Sequence, residues 1–332
     1  MAVLATTHPT LLDLANISDP NGKVAAVVEI LNQTNEVLDD MVWVEGNLPT
    51  GHQSVIRTGI PDATWRKMYG GVQPNKGTTA KITDNTGMLE AYAEIDKALA
   101  DLNGNTAAFR LSEDRAHIEG MSQIAAQTIF YGNEGTQPEA FTGLAPRYNS
   151  LSANNGDNII DGGGTGTDNF SVWLVGWGPD TVHGIIPKGS KAGLQMDDKG
   201  QVTIENIDGN GGRMEAYRTH YRWDMGLTVR DWRYVVRIAN IDRSLLSADG
   251  STGAKLLQLF DAAIEHLPTQ GNVRPVFYVN RTIRTYLRQQ AKEAVKNSTL
   301  TIEKVMDRTF PAYDGIPIKR VDRLAVDEAR VV

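Results

Sequence analysis

Residues 130–144 read F-Y-G-N-E-G-T-Q-P-E-A-F-T-G-L, with three glycines, a proline and two carboxylates behind the strongest helical pattern in the chain. That pattern runs from Asn105 to Tyr131. Leu111, Ile118, Met121, Ala125, Thr128 and Ile129 fall on one side, and Glu113, Asp114, Arg115 and Gln127 are left for solvent or partners. A helix over the whole stretch would be about 39 Å long. Gly132 follows the last aromatic pair and suits the left-handed position that ends a helix, so the first glycine has a structural reason. The question is whether the rest of the stretch cradles a phosphate or only turns the chain.

Upstream, the first twenty or so residues are short apolar pieces broken by His8-Pro9 and Asp19-Pro20-Asn21-Gly22, the look of an arm. From Lys23 to Trp43 the residues Val24, Val27, Leu31, Leu38 and Met41 form one apolar stripe of a helix. Residues 46–88 are rich in Gly, Pro, Thr and β-branched types in short runs. They read as an extended hairpin too sparse in apolar residues to build a core.

Downstream, Ser152–Asn169, with its G-G-G-T-G-T, reads as a surface loop. Ser171–Ile241 is strand-rich, and Glu215–Arg222 alternates with a period of two, as in a sheet with one covered face. Ala254–His266 places Leu256, Phe260, Ala263 and Leu267 on one helical face. The strand R-P-V-F-Y-V-N follows, with Asn280 as N-cap of a helix Arg281–Lys296 that turns Ile283, Leu287, Ala291 and Ala294 inward. D-G-I-P-I-K-R-V-D-R-L returns to strand. No repeat of solenoid or propeller spacing is present.

Composition narrows the function. The 332 residues can bury a large core, and 41% hydrophobic with 22% charged residues is ordinary for a globular protein. Cysteine is absent, which removes disulfides and thiolate chemistry. The start has no basic signal region, and no apolar run approaches the roughly 18 residues of a bilayer span, so cytoplasmic synthesis without a membrane partner is expected. A net charge of -7 opposes nucleic-acid binding by phosphate neutralisation. Arg213–Arg243 is a local exception, with seven arginines against four carboxylates, and reads as solvated strand faces and inter-subunit ion pairs.

Searches for chemistry fail one by one. No G-x-S-x-G exists, and Ser190 lies in P-K-G-S-K-A-G, with Lys188 where the first glycine belongs. His8, His52, His117, His183, His220 and His266 show no metal-ligand spacing and read as polar surface or interface residues. Gly184–Lys191 has Gly-Ser-Lys where a phosphate loop needs Gly-Lys-Ser/Thr. The G-G-G-T-G-T stretch lacks a preceding strand and the third glycine of a dinucleotide fingerprint. Asp208–Gly212 lacks the closing glutamate of a calcium loop. No catalytic, cofactor-binding or metal residue is nominated, and no enzyme activity is expected.

What remains is an arm, a coreless hairpin, a long rod and two folded lobes. Segments that cannot bury their apolar residues within a subunit bury them between subunits. The order closely resembles the major capsid proteins of tailed bacteriophages, the Hong Kong 97-like family. In that family the spine helix commonly ends in an apolar or aromatic residue and a glycine, then a polar turn and a P…G-[IL] segment. Phe130-Tyr131-Gly132-Asn133, Pro138 and Gly143-Leu144 stand in those places. F-Y-V-N-R-T-I-R-T-Y-L-R and Tyr313-Asp314-Gly315-Ile316-Pro317-Ile318 are similar to the axial-domain pattern. W-G-P-D-T-V-H-G-I-I-P through R-D-W-R-Y-V-V-R-I-A-N-I looks like the peripheral sheet. In the commonest members that sheet segment follows the axial domain. Here it precedes it, as in a rearranged connectivity resembling the short-tailed Bordetella phage branch.

The resemblance implies an α+β capsid fold. Its parts would be an N-terminal arm and helix (1–45), an E-loop hairpin (46–90), a peripheral domain with a spine helix near 106–131 (91–245) and an axial domain (246–332). It implies pentamers and hexamers of identical subunits in an icosahedral virion shell around double-stranded DNA, assembled in the host cytoplasm with scaffold, portal and possibly cement proteins. Some members weld subunits through a lysine–asparagine bond. Lys67, Lys76 and Lys81 lie in the hairpin, but nothing marks a partner asparagine or a proton-accepting glutamate, so non-covalent clasping is expected. The rivals are another virion component, such as a tail or decoration protein, and a nucleotide-dependent enzyme using Gly184–Lys191.

Overall fold

The computed structural model describes residues 35–102, 104, 106–205, 211–248, 252–271, 273–293, 300–305 and 308–332. In chain order the elements begin with α1 (Val37–Asp40), β1 (Trp43–Glu45), β2 (Gly51–Gly59), β3 (Thr78–Asp96), α2 (Lys97–Asp101) and α3 (Thr106–Tyr131). The strands β4 (Ile159–Asp161), β5 (Asn169–Trp177), β6 (Val182–Ile186), β7 (Gln195–Glu205), β8 (Arg213–Val229) and β9 (Val235–Asp242) follow. Last come α4 (Leu256–Glu265), β10 (Arg274–Val279), α5 (Arg281–Glu293), β11 (Leu300–Val305), β12 (Arg308–Tyr313) and β13 (Ile316–Arg320). Two compact units result. Among described residues the first comprises Met88–Ala126 and Lys191–Asp224, and the second Asn35–Gly87, Gln127–Ser190 and Met225–Val332. Among described residues no helix is long and apolar enough to cross a membrane.

In the first unit, β7 pairs antiparallel with β8 from Gln195↔Arg222 to Glu205↔Arg213, interrupted by a bulge at Asp198/Gly200. Gly200 takes the bulge with a φ of 67°, and its N–H bonds the Asp198 carboxylate at 2.8 Å. Alternation then sorts the side chains. Ala93 of β3 and Tyr221 of β8 pack on Met121 of α3, while Ile95 packs with Ala100 and Phe109. The other face carries Glu94 on Arg218 at 2.6 Å and Glu90 near His220 at 3.3 Å, with Tyr92 stacked on His220 at 4.4 Å. This is the expected sheet with one covered face.

The second unit is organised by β5, in which every residue of N-F-S-V-W-L-V-G-W is buried. A strand apolar on both faces needs neighbours along both edges and cover on both sides. β9 pairs antiparallel along one edge, from Asn169↔Asp242 to Val175↔Val235, and β10 along the other, from Arg274↔Trp177 to Tyr278↔Trp173. β13 continues the sheet parallel to β10, and β12 and β11 extend it antiparallel. Phe260 of α4 stacks on Phe277 at 4.4 Å and meets Tyr313 at 5.7 Å. Asn280 caps α5, accepting the Thr282 N–H at 3.0 Å, and Ile283, Leu287 and Ala291 are buried; Ala294 lies outside the described residues.

Several expectations need correction. β5 and β9, placed before residue 246, share a sheet with β10 and β13, placed after it. The strand-rich stretch is therefore divided, with 191–224 in the first unit and the remainder in the second. The helix expected over Lys23–Trp43 lies outside the described residues up to 34. Within them it is helical only at Val37–Asp40, because Trp43–Glu45 is drawn into a parallel pairing with β6. Ser152–Asn169 is not all loop, since β4 pairs parallel with β9 and Ile159 is buried. α3 has the expected length, but Leu111 and Ile118 are exposed, and Phe109, Ala126 and Phe130 are buried in addition to Met121, Ala125 and Ile129.

Gly132 is required for a reason other than a left-handed φ: a Cβ there would stand 2.4 Å from the Phe141 carbonyl oxygen and 2.6 Å from that of Thr128. Gly143 is equally confined, 2.5 Å from the Thr128 oxygen. The exit turn folds back onto the last helical carbonyls, with Gly143 N–H bonding Gly132 O at 2.8 Å and Leu144 N–H bonding Ile129 O at 3.0 Å. Those bonds satisfy backbone groups that a helix end leaves open, and they identify the turn as a helix exit.

Candidate functional site

The feature with no packing of its own is the hairpin of β2 and the first part of β3. Its register runs from Gly51↔Asn85 to Gly59↔Thr78, with an irregularity between Arg57 and Gly59. Threonine and β-branched residues suit this ribbon, but neither side carries an apolar face, and a two-stranded ribbon alone is marginal in water. Polar staples hold it: Asn47 exchanges two bonds with the Gln53 backbone at 2.7 and 2.8 Å, and Thr58 bonds Thr78 at 3.0 Å.

The connecting loop, 60–77, displays large apolar side chains. Trp65 is 104% exposed, Tyr69 102%, Met68 90% and Ile60 83%. A patch of this kind marks an interaction surface. Tyr69 also has a φ of 61°, next to Gly70-Gly71, a conformation that costs a bulky residue about 1–2 kcal/mol. The loop is held in shape by Asn75, which bonds the Asp62 carbonyl at 2.7 Å, and by a turn from Gly70 N–H to Lys67 O at 3.1 Å. Lys67, Lys76 and Lys81 are exposed here with Arg57 and Arg66, against the single carboxylate Asp62, so the tip is cationic within an acidic chain.

The root of the hairpin is built to tight tolerance. A Cβ on Gly51 would meet the Asp84 carbonyl oxygen at 2.2 Å, and one on Gly226 the Asn85 oxygen at 2.8 Å. Buried Asp84 accepts an ion pair from Arg147 at 2.8 Å, and Arg147 also donates to the Leu227 carbonyl at 3.3 Å. The rings of His52 and His183 meet edge to face at 5.8 Å. The histidines are thus less scattered in space than in sequence. His220 stacks on Tyr92 and His117 on Tyr221, while His8 lies outside the described residues.

Gly184–Lys191 is no phosphate cradle. Gly184–Ile186 is strand, and the Gly189 N–H that an anion would need is bonded by the Glu45 carboxylate at 2.9 Å. The G-G-G-T-G-T loop runs between two strands, and most of Asp208–Gly212 lies outside the described residues. No group of three or more His, Asp or Glu among the described residues is placed to hold a metal. The tip aromatics were not nominated from sequence; their available signal was large apolar residues in a stretch otherwise rich in Gly, Pro and Thr. His52 and His183 had no such signal, because only the pairing of distant strands brings them together.

A family model described as major capsid protein GP7 matches residues 19–332. The chain is similar, at 39% identity and a TM-score of 0.79, to a chain in the near-atomic-resolution cryo-EM structure of bacteriophage Epsilon15, covering 100% of this chain and 99% of that one. It is also similar to a chain of the bacteriophage JBD30 capsid, at 8% identity and a TM-score of 0.49, covering 88% of this chain and 91% of that one. No curated protein matches the chain significantly.

Proposed function

Since the chain belongs to the major capsid protein GP7 family, we propose that its exposed hairpin is the device by which each subunit clasps a neighbour in the shell. The protein is a major capsid protein of a tailed phage, located in the icosahedral capsid shell of the virion. The observation that carries the clasp is the loop 60–77, where Ile60, Trp65, Met68 and Tyr69 are exposed rather than packed against the described residues. Covered by a second copy, each aromatic would bury about 150–250 Å2. At roughly 25 cal/mol per Å2 that is several kcal/mol per contact before ordering costs.

The finer assignment follows the same logic. The subunits form pentamers and hexamers, with 1–45 as the arm and 46–90 as the E-loop. The unit built on α3 and the β3–β7–β8 sheet is the peripheral lobe, and the unit built on β5, β9, β10 and α4–α5 the axial lobe. In chain order the peripheral sheet segment 191–224 interrupts the axial lobe. The shell encloses double-stranded DNA, contacted non-specifically, and draws on scaffold and portal proteins and possibly a cement protein. The role is structural and not enzymatic; Glu45 on the Gly189 amide supports this against a nucleotide site. Clasping is non-covalent, in keeping with a hairpin whose lysines have no marked bonding partner.

Replacing 60–77 by a two-residue Asn-Gly turn tests the clasp. A subunit with native circular dichroism that forms no closed shells in electron micrographs is the expected result. Intact shells from that variant would refute the assignment.

A further inference from the structure

The root of the hairpin contains a cluster of buried polar side chains. Residues directly opposite one another in an antiparallel pair project to the same face. His52 pairs with Asp84 between β2 and β3, and His183 with Thr228 between β6 and β8. Ser54, two residues along β2, shares the face of His52. Among the described residues His52 Nδ1, Ser54 Oγ, Thr228 Oγ1 and Asp84 Oδ2 have no hydrogen-bond partner in this small volume. His183 and Thr228 are fully buried, and Ser54 and Asp84 nearly so. Buried groups of this kind normally find partners.

The charged groups facing the two rings are few. From β3 comes Asp84, already engaged by Arg147 at 2.8 Å. Beyond the ends of β6 and β8 lie Asp180 and Arg230, paired with each other at 3.2 Å. Each facing carboxylate thus has a guanidinium partner, and the two imidazoles stand 5.8 Å apart. We infer that buried His183, set against the His52 ring, is an acid-sensitive latch, which seats the hairpin root on β6 while its imidazole is neutral and releases it when that imidazole takes up a proton. A proton on His183 would be buried beside a second imidazole and near Arg230, while the facing carboxylate Asp180 is already paired with that guanidinium.

The electrostatics point the same way. Burial lowers the His183 pKa to about 4, reinforced by His52 and Arg230, with the Gly178 backbone and Asp180 opposing. Burial and then Arg230 also lower that of His52, with Asp84 opposing. Both folded values lie below that of an unfolded histidine, so the opened state binds more protons at mildly acid pH. The contribution of the rings to stability is complete above about pH 6.5 and is lost as the pH falls toward the folded values.

The latch goes beyond shell formation, and its test does not depend on shells. Amide hydrogen exchange is followed on the full-length chain, held in one assembly state, at pH 7 and pH 5, and corrected for intrinsic exchange. Protection of β2 and β6 should fall on the order of tenfold, as linkage to His183 dictates. β10 should be unchanged, and His183→Gln should abolish the loss. Equal protection at both pH values, an equal loss in β10, or an undiminished loss in His183→Gln would overturn the latch. Should His183→Gln fail to fold, the wild-type contrast between β2 and β10 and the behaviour of His52→Gln decide the matter.

Discussion

Glu328 ties four parts of the second unit together. Its carboxylate accepts from Arg237 at 2.7 Å, from the Tyr131 hydroxyl and from the Ser171 hydroxyl, and both members of the ion pair are buried. Tyr131 in turn accepts the Ala325 N–H at 3.0 Å. Burial and the adjacent Glu328 raise the Tyr131 pKa well above the ordinary phenol range, so it remains a donor. Glu328→Ala leaves a buried guanidinium without its partner, a loss of about 3–5 kcal/mol. A drop of that size in urea denaturation is expected, and a change under about 0.5 kcal/mol would contradict the assigned network. None of this was legible in the sequence. Glu328 stands 91 residues from Arg237, and no local pattern marks either. Asn280 was legible, because an N-cap is a local device and its partner lies two residues away.

At the scale of elements, the sequence announces what has a period and hides what depends on pairing. α3 was readable end to end, since 26 residues without a proline carry a helical repeat. Which of its faces is buried was only half readable: Leu111 and Ile118 lie on the expected stripe but remain exposed. The hairpin was readable as extended and coreless, while its aromatic tip was not singled out. Trp65→Ser combined with Tyr69→Ser should raise the threshold concentration for shell assembly at least tenfold. The thermal midpoint of the free subunit should barely move, because exposed side chains contribute little to folding. An unchanged threshold by light scattering would place the clasp elsewhere. β1 escaped prediction for a simple reason: M-V-W-V suits a helix end or a strand equally, and only β6, with Gly184 making room for Trp43, decides between them.

For the whole molecule, charge is unevenly distributed. The segment 55–81 holds five cationic residues and one carboxylate, while the chain is -7, so the rest carries -11. A cationic tip that docks on an acidic copy is steered by its charge, and salt screens such steering over about 10 Å at 0.1 M. Initial assembly rates should therefore fall severalfold between 50 and 500 mM salt, and charge reversal of Lys67 and Lys76 to Glu should flatten or invert that dependence. Rates that rise with salt in the unaltered chain would oppose the electrostatic docking. The family was legible in the sequence through the order of arm, hairpin, rod and lobes; the division into two units was not, because β5 gathers neighbours from both sides of the expected boundary.

Tyr69 stands left-handed and bare at the tip of the solitary chain. Until a copy arrives, Arg66 and Lys67 beside it lie open to any trypsin-like enzyme in the surroundings. Under the proposed clasp, abundance and survival should be linked, with assembled copies sheltering this weak point and lone chains open to cleavage there.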